Sequence, residues 1–132
     1  MGKLSRTKGK VFEREVAKAF RAVFPETKRT LTQQRDSGEA PDIDAPGYWV
    51  EAKHHRKVPI RKAFEQAVDE VQRAKSNSVP VAVTKDNGKE ILATMRLPDF
   101  LALLQRCQLR IAQPTTPRPA PSTGIEAYPS GG

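Results

Sequence analysis

The stretch from Pro41 to Lys53, which reads Pro-Asp-Ile-Asp-Ala-Pro-Gly-Tyr-Trp-Val-Glu-Ala-Lys, constrains the fold more than any other part of the chain. Within it Ala45-Pro46-Gly47-Tyr48 is a turn signal. Proline presets the backbone angle of the first central residue, and glycine accepts the positive φ needed at the second. A hairpin centred on Pro46 and Gly47 sets Ala45 opposite Tyr48, Asp44 opposite Trp49, Ile43 opposite Val50 and Asp42 opposite Glu51. Proline-glycine favours a type II turn over the primed turns that suit two-residue hairpins, so the competing arrangement is a bulge that breaks this register.

Side chains alternate across a strand, so Glu51 and Lys53 share one face while Val50 and Ala52 point to the other, with Ile43 opposite Val50. One face reads as core and the other as a candidate reaction site. Directly opposed residues in an antiparallel pair have Cβ atoms about 4.5 to 5.5 Å apart, and like charges at that distance repel. Asp42 and Glu51 therefore require compensation. Two carboxylates on neighbouring strands with an ammonium two residues on suit metal-assisted hydrolysis of a phosphodiester. Hard oxygen ligands hold Mg²⁺, and the ion activates bound water and neutralises developing charge. Lys53 then orients or deprotonates that water, or stabilises the transition state. The plain alternative is an acidic hairpin with a chance lysine.

Pro41-Asp42, eight intervening residues and then Glu51-Ala52-Lys53 resemble the signature of the PD-(D/E)XK nuclease superfamily. The helix opening Lys8-Gly9-Lys10-Val11-Phe12-Glu13-Arg14-Glu15, ahead of a Ser-Gly loop and that signature, is similar to the archaeal and phage Holliday junction resolvases. The resemblance spans residues 6–104. It implies a restriction-endonuclease-like α/β core, in which a mixed five-stranded sheet is flanked by helices in the order αβββαββα. It also implies Mg²⁺ as cofactor, with Mn²⁺ as a substitute. The metal ligands it implies are Asp42, Glu51 and the Ala52 carbonyl, with Glu13 supplementing the site from the first helix and Glu15 as the other choice there. Lys53 is the residue that handles water. A serine in the loop before the signature, here Ser37, is expected to contribute, and Gln66 resembles a glutamine that supports the lysine or substrate.

The chain has 132 residues, room for one domain rather than two. A net charge of +8 and a pI near 9.9 point to an anionic partner, most often nucleic acid, although a membrane surface also attracts such a chain. Cys107 is the single cysteine, which excludes an internal disulfide and a cysteine-built zinc site, and it reads as a buried thiol. No apolar run approaches the length of a membrane span, so the expected location is the cytoplasm, at the nucleoid or in a host cell.

Residues 1–7 read as a loose basic segment and residues 8–111 as the folded domain. A first helix is expected from Lys8 to Phe24, burying Phe12, Val16, Ala19, Phe20 and Val23 at helical spacing, with Lys10 and Arg14 among the charges elsewhere around it. Lys28–Gln34 reads as a short strand. In the loop that follows, Arg35 could clamp a phosphate bidentately and Ser37 could donate to one; a plain surface turn is the other reading.

Past the hairpin, His54, His55, Arg56 and Lys57 form a basic run suited to backbone phosphates rather than to zinc, because adjacent strand residues point oppositely. A second helix begins near Pro59 and runs to Ser76, with Ile60, Ala63, Phe64, Ala67, Val68 and Val71 inward and Gln66 beside them. Strands are expected over Val79–Lys85 and Glu90–Arg96. A last helix from Pro98 should turn Phe100, Leu101, Leu103, Leu104 and Cys107 inward. Residues 112–132, rich in proline, read as a disordered tail.

The expected function is a Mg²⁺-dependent, structure-selective endonuclease on branched DNA, acting as a two-fold homodimer because symmetric cutting of a four-way junction needs two sites. The competing readings are a related nuclease acting on flaps, single strands or foreign duplex, and a DNA-binding protein whose nuclease site is idle.

Overall fold

The computed structural model describes residues 2–30 and 40–112, with side chains placed for 7–30 and 40–108. The elements are α1 (Gly2–Arg21), β1 (Lys28–Arg29), β2 (Ile43–Ala45), β3 (Tyr48–His55), α2 (Ile60–Arg73), β4 (Val79–Asp86), β5 (Ile91–Thr94) and α3 (Leu97–Ala112). This is the order read from the sequence. The five strands form one sheet in the order β1-β2-β3-β4-β5. It is mixed: β3 and β4 run parallel, joined by the α2 crossover, and the other neighbours are antiparallel.

The hairpin keeps the expected register, with Ile43 opposite Val50, Asp44 opposite Trp49 and Ala45 opposite Tyr48. Gly47 takes φ +83°, the positive angle the turn needs at its second central residue. No bulge intervenes, so β3 presents Trp49, Glu51, Lys53 and His55 to one side and Val50, Ala52 and His54 to the other.

The two faces of the sheet are covered differently. On one, Phe12, Val16 and Ala17 of α1 pack with Ile43, Ala45, Val50, Ala52, Val81 and Val83, with Phe20 and Met95 at the margin. On the other, Ala63 and Phe64 of α2 pack with Val58 and Ala82. β3 lies between the helices in the middle of the sheet, so Trp49–Ala52 are buried on both of its faces.

Several sequence expectations are corrected. α1 takes in Gly2–Thr7, since no proline or other breaker separates that segment from Lys8. The helix stops at Arg21, which leaves Val23 in the following turn at 71% exposure instead of on the buried stripe. Ala19 is also exposed, because the covered stripe is the narrower one through Phe12, Val16 and Phe20. β1 is two residues long, and Leu31–Gln34, Arg35 and Ser37 lie outside the described residues. So does the proline-rich segment from residue 113.

α2 ends in a C-terminal motif that the sequence does not advertise. Ser76 N donates to Val71 O at 3.0 Å and Lys75 N to Gln72 O at 3.1 Å, with Lys75 in the left-handed region at φ 52°. This is the Schellman pattern, which glycine usually occupies.

The chain divides into two compact units, one ending at Asp99 and the other beginning at Phe100, inside α3. Phe100, Leu101, Leu104 and Cys107 of α3 are exposed rather than turned inward. Their spacing marks an apolar stripe that gains from cover, and spacing alone does not say that the same chain supplies it. Among the described residues no helix is long and apolar enough to cross a membrane.

Candidate active site

The hairpin register carries Asp42 to the position facing Glu51, one step beyond the last paired residues of β2. There Asp42 leaves the ladder and uses its side chain: Oδ2 accepts a 3.0 Å hydrogen bond from the Ala52 amide. The backbone stays anchored on the other side, where Asp42 O accepts from Thr30 N at 2.9 Å. Asp42 and Glu51 then contact each other through their carboxyl groups.

A third acid, which the sequence reading passed over, completes the group. Glu70 lies on the buried stripe of α2 with Ala63 and Ala67, where an apolar residue would ordinarily sit. Its carboxylate meets that of Glu51 across the seam between β3 and α2. The indole Nε1 of Trp49 donates to Glu51 Oε1 at 3.2 Å and to Glu70 Oε1 at 3.3 Å. Gln66, one turn before Glu70, donates to its Oε2 at 2.9 Å. The available signal was a glutamate inside an otherwise apolar helical stripe, together with Trp49 two residues before Glu51 on the same strand face.

Crowding three carboxyl groups has a definite electrostatic result. Burial, the hydrogen bond to Glu70, and the charge and hydrogen bond of Asp42 push the Glu51 carboxyl up to about 11. Glu51 is only 3% exposed, so it is a neutral acid at neutral pH unless a cation takes the place of its proton. Burial also works to raise Glu70. Hydrogen bonds with Glu51, Gln66 and Trp49 and the positive charge of Lys53 outweigh it and hold Glu70 below the ordinary carboxylate value. One proton is therefore held within the pair, on the Glu51 side.

The donor chemistry fits a divalent cation. Asp42 and Glu51 offer hard oxygens in contact with each other, and a dication in place of the Glu51 proton would offset the repulsion that now keeps that proton bound. Among the described residues no group of three or more histidine, cysteine, aspartate or glutamate side chains is spaced as a ready-made cage. Mg²⁺ asks for less, since it retains several waters and takes one or two carboxylates.

The remaining sequence candidates separate by face. Lys53 is half-buried on the Glu51 side and Gln66 is exposed on the facing helix. Glu13 is 7% exposed on α1, and its Oε1 lies 3.5 Å from Arg29 Nε. Arg29 is paired with Ile43, so this ion pair belongs to the α1 face of the sheet, opposite the face of Glu51. His54 also turns to the α1 face, its ring centroid 5.4 Å from that of Phe12. Burial and the nearby Lys8 and Lys85 charges lower its pKa, against a hydrogen bond with Asn87 and the charge of Glu15. His55, Arg56, Lys57, Lys10 and Arg14 are exposed.

Comparison with protein-family models, with curated proteins and with solved structures finds no match to this chain.

Proposed function

We propose that this chain is a Mg²⁺-dependent endonuclease of restriction-endonuclease-like fold that hydrolyses phosphodiester bonds in branched DNA, with four-way junctions as substrate. The observation that carries the reading is the meeting of Asp42, just before β2, with Glu51 of β3, and Lys53 two residues further along the same face. The element order, the mixed five-stranded sheet and the net charge of +8 accord with it.

Asp42, Glu51 and the Ala52 carbonyl would hold the ion, and Mn²⁺ would serve in the same place; Glu13, expected to supplement the site, instead pairs with Arg29 on the other face of the sheet. When bound, the ion supplies Lewis-acid activation of water and charge neutralisation. Asp42 is fixed for this by the Ala52 amide, and Glu51 by Trp49 and Glu70. The Lys53 ammonium orients the attacking water and stabilises the charge that grows on the phosphoryl oxygens. The water gives up a proton as its oxygen bonds to phosphorus, and the leaving oxygen takes one up from solvent as its own bond to phosphorus breaks. His55, Arg56 and Lys57 past the end of β3, and Lys10 and Arg14 on α1, offer charge to the DNA backbone, as would Arg35 and Ser37. Recognition follows backbone charge and DNA shape rather than base sequence. Resolving a junction takes two sites, so the reading includes a two-fold homodimer.

Asp42→Asn is the decisive substitution. It should abolish Mg²⁺-dependent cleavage of a four-way junction while junction binding persists, and cleavage at the unaltered rate would sink the assignment. Equal cutting of junction, flap and linear duplex would retain a nuclease but remove the preference for junctions.

A further inference from the structure

The seam between β3 and α2 opens, beyond the carboxyl group, into a pocket of about 220 Å³ whose walls include Lys53, His55, Val58, Pro59, Lys62 and Gln66. The walls follow from two periodicities. Lys53 and His55 stand two apart on β3 and share the face turned to α2, and Lys62 and Gln66 stand four apart on α2, with Pro59 just before its first residue. The lining contains two lysines and a histidine and no acid. At one end it shares Lys53 and Gln66 with the candidate active site, Gln66 being hydrogen-bonded to Glu70.

The far wall is held in place. Val58 N donates to Asp86 Oδ1 at 2.7 Å, and Asn87 N donates to the His55 carbonyl at 3.1 Å, so the segment leaving β3 is tied to the end of β4. Pro59, at the start of α2, makes no side-chain capping hydrogen bond. The positive end of the helix adds to the lysines in favouring a negative ligand here. Lys53 already acts on the Glu70 carboxylate, so Lys62 is the lining cation that an entering anion would meet, in a pocket with room for a phosphate group.

We propose that this pocket receives a backbone phosphate of bound nucleic acid, one that neighbours the phosphate being cleaved, with Lys62 as its principal contact. The inference rests on the nuclease reading and adds to it the path of the strand: past Lys53, along the end of β3, toward the start of α2. Lys62 is absent from the hydrolytic machinery and acts by holding the strand in register.

The test uses the full chain. Lys62→Ala combined with Asp42→Asn, so that binding is measured without cutting, is titrated onto a fluorescent four-way junction across a salt series. The slope of log affinity against log salt should shrink by about one, with Lys62→Arg restoring most of it. In the otherwise unaltered chain, Lys62→Ala should raise KM by a larger factor than it lowers kcat. Lys18→Ala, on the exposed side of α1, controls for bulk charge. An equal slope change in the Lys18 and Lys62 variants, or no change in either, overturns the pocket while leaving the nuclease reading intact. If the unaltered chain neither binds nor cleaves the junction, the nuclease reading falls and the pocket inference falls with it.

Discussion

Glu51 and Glu70 face each other across the seam between β3 and α2 and share one donor, the Trp49 indole N–H, at 3.2 and 3.3 Å. Two buried acids beside one another destabilise a fold unless a proton or a cation lies between them. That conflict makes the site testable without any substrate.

The first expectation concerns pH. The Glu51 pKa is raised in the folded state from 4.5 to about 11, so the folded chain keeps a proton that the unfolded chain releases. The stability this confers is complete below the unfolded value and is lost as pH rises toward the folded one. Glu70 is shifted the other way, and its contribution changes only in the acid range below its ordinary value. Without divalent ions, urea unfolding from pH 6 to 9 should therefore show stability declining by at most on the order of 1 kcal/mol per pH unit. Glu51→Gln should flatten that decline, so that the variant gains on the unaltered chain as pH rises. Parallel pH profiles for the two proteins would contradict the buried proton.

Divalent ions should act in the opposite sense. A ligand that binds only the folded state at about 100 times its Kd adds about 2.7 kcal/mol. Thermal unfolding in excess Mg²⁺ or Mn²⁺ should move upward for the unaltered chain and remain in place for Asp42→Asn. A shift of equal size in both would place the ion elsewhere.

Lys53→Ala separates chemistry from binding. If Lys53 acts on the water and the transition state, its loss should lower kcat by about 10²-fold or more while junction affinity, read in EDTA, changes little. A loss confined to KM would reassign Lys53 to backbone binding.

Two substitutions test the scaffold. Phe12 is 1% exposed among Val16, Ile43, Val50 and Val83, and Phe12→Ala should cost about 3 to 5 kcal/mol through the cavity it leaves. A cost below about 1 kcal/mol would contradict the placement of α1 on that face.

Lys75 occupies the left-handed region at φ 52° at the end of α2. Lys75→Gly should raise stability by about 0.5 to 1 kcal/mol, since glycine avoids the steric cost of that conformation but loses more freedom on folding. A loss of stability in the same urea assay would count against the Schellman geometry.

The sequence alone determined what depends on local chemistry and short periods. Pro46-Gly47 set the hairpin, alternation then fixed which residues of β3 share a face, and valine-rich Val79–Lys85 declared a buried strand. From these the contact of Asp42 with Glu51, and the side on which Lys53 stands, are legible in the sequence. Tertiary structure decided what requires knowing which surfaces meet. Helical spacing gave α2 an apolar stripe but could not say that Glu70, lying within it, would arrive opposite Glu51 under the Trp49 indole, since no local interaction links residues 19 apart. The same holds for α1, where period predicted a stripe reaching Val23 and the helix ended at Arg21, and for α3, where Phe100, Leu101 and Leu104 are exposed while Leu103 is half-buried. Periodicity records which residues gain from burial. Long-range packing alone decides which of them are covered, and by what.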